Sequence, residues 1–72
     1  MYIIDISKLR PDGRRQLELH APVLSLPAAL RVADSHAPAP LNVATRSRIR
    51  REHGGVAKVG RVLIAIACEF RQ

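Results

Sequence analysis

The chain has 72 residues, with twelve Lys and Arg against six Asp and Glu, a formal net charge of +6. That length allows one domain and excludes a two-domain enzyme with a cofactor cleft. Apolar residues make up 47% of it, too many for a disordered tail, and none of the apolar runs reaches the roughly 18 residues of a membrane span.

The first element expected is a strand over 2–9, rich in the β-branched residues Ile3, Ile4 and Ile6. Pro11-Asp12-Gly13 then signals a turn, because Pro presets φ and Gly accepts the positive φ that closes it. Residues 16–20 alternate polar and apolar, so a hairpin of 2–9 with 16–20 is expected. Over 27–34 the spacing of Leu26, Leu30 and Ala33 suits a short helix opened by Pro27. The alternative is an ordered loop through the whole of 21–40. Pro38 and Pro40 make 35–40 a loop in either case.

Residues 41–50 read as a strand. Leu41, Val43, Thr45, Ser47 and Ile49 share one face, and Asn42, Ala44, Arg46, Arg48 and Arg50 share the other. After the turn signal His53-Gly54-Gly55, residues 56–70 read as a long strand, with Val62, Ile64, Ile66, Cys68 and Phe70 on one face. Being apolar on both faces, it is expected to be central or covered twice. The fold class that follows is α+β. It is a small, mostly antiparallel four-stranded sheet of two hairpins, with one short helix or ordered loop between them.

Charge is uneven along the chain. Residues 1–45 hold five cations and four acids, net +1, and residues 46–72 hold seven and two, net +5. On a strand, Arg46, Arg48 and Arg50 would stand about 6.6 Å apart, a spacing suited to successive phosphates of a nucleic-acid strand. Arg51 flanks this ladder, and Lys58 and Arg61 extend it from the neighbouring strand. With only Tyr2 and Phe70 as aromatics, base stacking is a poor expectation, and contact with phosphates is the better one.

Other chemistries find little support. His20, His36, His53 and Cys68 are scattered, without the close pairs of a zinc site. The six acids form no recognisable catalytic pair, and Gly54-Gly55 lacks the Gly-Lys-Ser/Thr ending of a phosphate loop. No catalytic residue, metal or cofactor is expected. One cysteine and no signal-type N-terminus make the cytoplasm the expected location.

The opening Ile3-Ile4-Asp5-Ile6-Ser7-Lys8-Leu9 and the later run Gly54-Gly55-Val56-Ala57-Lys58-Val59-Gly60-Arg61-Val62-Leu63-Ile64-Ala65-Ile66-Ala67-Cys68 resemble the N-terminal half of the YceD family. Those bacterial proteins are linked to accumulation of large-subunit ribosomal RNA. The likeness covers about half of the chain and implies the strand framework and the placement of Cys68. The family carries a second cysteine three residues after the first, where this chain has Arg71, and it has an acidic C-terminal half with no counterpart here. The resemblance therefore implies a truncated or stand-alone relative.

The expected function is non-enzymatic binding of an anionic surface by Arg46, Arg48, Arg50 and Arg51, aided by Lys58 and Arg61. The first expected partner is ribosomal RNA or a ribosome assembly intermediate. A phage-type or regulatory protein that binds and inhibits a host protein through an acidic patch, as on RNA polymerase or a nuclease complex, is the alternative. A third is a homodimer paired through strand 62–70.

Overall fold

The structure is a computed structural model, described over residues 1–69. The first strand, β1, spans Tyr2–Leu9 and the second, β2, spans Arg15–Val23. The turn between them closes through Gly13 N–H to the Arg10 carbonyl at 3.0 Å, with Gly13 at φ 85°. The Asp12 carboxylate accepts the Arg14 N–H at 3.0 Å and stiffens the same turn. Strict alternation over 16–20 would put Leu17 and Leu19 on one face. A bulge opposite Ile6 and Ser7 intervenes, pairing Ile6 with Leu19 and Ser7 with Leu17. Leu19 thus packs on the core while Leu17 is left 61% exposed.

Helix α1, Leu26–His36, starts where the Ser25 hydroxyl accepts the Ala28 N–H, and has Pro27 in its first turn. It buries Ala29, Leu30 and Ala33 and ends at the extended Ala37, just before Pro38. The helix expected over 27–34 is therefore present, and the loop expected from 35 begins two residues later.

The strand expected over 41–50 is a second helix, α2, Val43–Glu52. Three local features outweigh the period-two pattern. Asn42 is an N-cap whose side chain accepts the Thr45 N–H at 2.8 Å. Ala44 and the arginines are good helix formers. His53 takes a left-handed C-cap (φ 55°), and Gly54 N–H bonds back to the Ile49 carbonyl at 3.0 Å. Only Ile49 of α2 is buried, so a helix meets its packing requirement with one apolar residue, whereas the alternation had implied a whole face.

The long strand expected over 56–70 breaks at the Gly60-Arg61 turn into β3, Gly55–Val59, and β4, Val62–Cys68. Gly60 takes φ 60° there, the conformation such a turn requires. The second hairpin is thus β3–β4, and the strand position expected for Phe70 lies outside the described residues. The sheet runs β2-β1-β4-β3, antiparallel throughout. Strand β4 is central, as its apolar sequence implied, and is hydrogen-bonded on both sides. That corrects the expectation of a homodimer paired through 62–70, since the free edges belong to β2 and β3.

Both helices lie on one face of the sheet. Ile4, Ile6, Ala57, Ile64 and Ile66 meet Ala29, Leu30 and Ala33 of α1, together with Leu41 and Ile49, in one buried cluster. Among the described residues the opposite face carries no helix, and the pairing register puts Asp5, Ser7, His20, Lys58 and Leu63 on it. The fold is α+β, with two helices rather than one among the described residues.

Candidate anion-binding surface

The arginines of 46–51 do not form a ladder, because successive helical residues turn by about 100°. Arg46 and Arg50 lie one turn apart on the same side of α2, while Arg48 points across the helix. Their surroundings differ as well. Arg46 is half-buried, donating Nε–H to the Leu41 carbonyl at 3.0 Å and pairing with Asp34 on the last turn of α1. Its hydrogen bond holds the Asp34 carboxyl below its ordinary value, helped by the Leu41 N–H and opposed by partial burial. Arg48 donates to the Val56 carbonyl at 2.6 Å on the free edge of β3, covering part of an edge that would otherwise offer unpaired groups. Arg50 and Arg51 are exposed in the last turn, where cations complement the helix dipole.

Lys58 is exposed on the helix-free face of β3, opposite Leu63. Arg61 is exposed in the β3–β4 turn, and its carbonyl accepts the Leu9 N–H at 2.7 Å. The structure therefore divides the six residues. Arg46 and Arg48 hold the fold together, Arg50 and Arg51 stand at the C-terminal end of α2, and Lys58 and Arg61 stand on the second hairpin.

Two further cations join the last pair. Lys8 and Arg10, at the end of β1 and in its turn, line shallow depressions together with Arg61, one of which also includes Lys58. Arg14 and Arg15 are exposed on the same turn. These residues belong to the half of the chain whose net charge is +1, so summing charge along the sequence hides them. Reading Gly60 as a turn would have exposed the grouping, since it sets the tips of both hairpins side by side.

The histidines are spread over the molecule. His20 pairs with Asp5 on the open face, His36 sits at the end of α1 with Nδ1 3.0 Å from the Val32 carbonyl, and His53 caps α2. Lys8, Glu18, His36 and Arg61 line a cleft between the end of α1 and the sheet. Among the described residues no helix is long and apolar enough to cross a membrane, and no three His, Cys, Asp or Glu are grouped to hold a metal ion. Comparison with protein-family models, with curated proteins and with solved structures finds no match to this chain.

Proposed function

We propose that this chain is a non-enzymatic basic binding module whose partner is the phosphate backbone of RNA. Its resemblance to the YceD family favours ribosomal RNA or a ribosome assembly intermediate as the form that RNA takes. The observation that supports the reading is how the acids are used. Asp34 is committed to Arg46, Asp5 to His20 and Asp12 to its own turn, while Glu18, Glu52 and Glu69 are exposed and form no ion pair among the described residues. Arg50, Arg51, Lys58 and Arg61 are exposed, with no carboxylate partner among the described residues. A surface of unmatched cations attracts a polyanion and releases its counterions. Tyr2, the one aromatic among the described residues, packs against the core, which favours backbone contact over base stacking.

Fluorescence anisotropy with a labelled single-stranded RNA, between 50 and 200 mM salt, tests this. Four phosphate contacts predict a log–log salt slope of about −3. No binding, or affinity indifferent to salt, refutes the reading. Pull-down of a partner that survives nuclease treatment would replace RNA by an acidic protein surface.

A further inference from the structure

The antiparallel pairing of β1 with β4 sets Lys8 opposite Val62, and the Leu9 N–H to Arg61 carbonyl bond ties the β3–β4 turn to the end of β1. The tips of the two hairpins are therefore joined. Arg10 and Arg61 line two adjoining depressions, which Leu9 and Pro11 also line. Lys8 borders one, and Lys58 borders the other. Strand alternation places Lys8 on the helix-covered side of the sheet and Lys58 on the open side. Four cations thus reach the tip from both faces.

None of the four has an ion pair among the described residues. Two acids lie nearby, and neither is ion-paired with them among the described residues. Asp12 accepts its own turn's Arg14 N–H, and Glu18 lies on the cleft side, where it lines a surface with Lys8 and Arg61. The four cations still outnumber these two carboxylates, so net positive charge is held together at the tip; like charges repel one another, and an external anion relieves that repulsion. The tip is also preorganised: Arg10 N–H bonds to the Arg14 carbonyl at 2.8 Å, besides the Gly13 and Leu9 bonds already described. Arg50 and Arg51 lie toward the other end of the sheet, because α2 leads into Gly55, which pairs with Ile66 and through it with Ile4.

We infer that the joined hairpin tips form a phosphate-binding site, where Arg10 and Arg61 grip neighbouring phosphodiester groups of an RNA backbone and Lys8 and Lys58 flank them. This rests on the RNA-binding reading and moves its main contact from α2 to the tip. Guanidinium forks suit bidentate contact with phosphate oxygens, and the lysines act as point charges.

The decisive comparison is between the Arg10→Ala/Arg61→Ala and Arg50→Ala/Arg51→Ala variants, which lose the same formal charge. Arg10 and Arg61 enter the described hydrogen bonds through backbone groups alone, and the exposed Arg50 and Arg51 side chains enter none of them, so both variants should fold. With labelled single-stranded RNA, the tip variant should lose about tenfold in affinity and about 1.4 in salt slope. The α2 variant, which removes the secondary contacts of the same binding surface, should lose about threefold. In thermal melts at matched ionic strength, sodium pyrophosphate should raise the melting temperature of the parent relative to sodium chloride, and should not do so for the tip variant. Equal losses in the two variants, or an unchanged tip variant, overturn the site and leave the RNA reading standing. A parent that ignores RNA, with pyrophosphate stabilisation that vanishes in the tip variant, overturns the RNA reading and keeps the tip as a phosphate site.

Discussion

The two helices lie on the same face of one sheet, yet they are held there by different forces. Helix α1 buries Ala29, Leu30 and Ala33, so its place is set mainly by apolar area withdrawn from water. Helix α2 buries Ile49 alone. Its remaining attachments are polar and directional: the Asn42 cap, Arg46 to Asp34 and the Leu41 carbonyl, and Arg48 to the Val56 carbonyl. A helix held in this way can carry four arginines without a broad apolar face, at the cost of lower local stability.

The sharpest way to break that contrast is at Ile49, whose side chain is fully buried. Ile49→Ala should cost about 2–5 kcal/mol in urea unfolding, from lost burial and the cavity left behind. Amide exchange should then accelerate first in α2. Leu30→Ala should cost a similar amount but speed exchange across the sheet and α1 together. The same exchange pattern in both variants would mean that α2 is no separate unit.

A smaller effect is expected at the junction of α2 with β3. Gly54 takes φ +145°, and a Cβ there would lie 2.5 Å from the Ile66 carbonyl oxygen. Gly54→Ala should therefore cost about 1–3 kcal/mol, because backbone on both sides would have to shift. Gly13 takes φ +85°, and a Cβ added there would meet nothing within 4 Å. Gly13→Ala thus carries the dihedral penalty without the clash and should cost less. Thermal unfolding of the two variants measures the difference. Equal losses would show that the approach of Gly54 to β4 contributes nothing of its own.

What was legible in the sequence follows the same division. Strand β1, helix α1 and the apolar, central β4 can be read from residue types, because burial is what places them. The period-two pattern of 41–50 misleads because Val43 is 79% exposed and Thr45 and Ser47 do not need a covered face. Where one buried side chain decides, apolar periodicity has little to report, and the caps Asn42 and His53-Gly54 carry the signal instead. The Gly60-Arg61 turn was hidden inside a continuous run of β-formers. With it went the meeting of Lys8 and Arg10 with Lys58 and Arg61, which depends on strand order rather than on local charge. The six arginines and lysines singled out by sequence were thus a mixture of groups that brace the fold and groups that face solvent.

The mildest test reaches the polar attachment itself. Asp34 sits in the last turn of α1 and receives both Arg46 and the Leu41 N–H, so one carboxylate joins the helices and orders the loop between them. The Arg46 bond makes that carboxyl more acidic in the folded chain than in the unfolded one. Stability from a depressed carboxyl is fully present above its unfolded value, near 4, and is lost as pH falls through the folded value. Asp34→Asn should lower stability at pH 7 by about 1 kcal/mol. The difference from the parent should narrow below about pH 4, as the parent's own carboxylate takes up a proton. Urea midpoints at pH 7, 5 and 3 follow this convergence. An undiminished difference at pH 3 would assign the link to hydrogen bonds that a neutral side chain can also make, leaving α2 held by geometry rather than by charge.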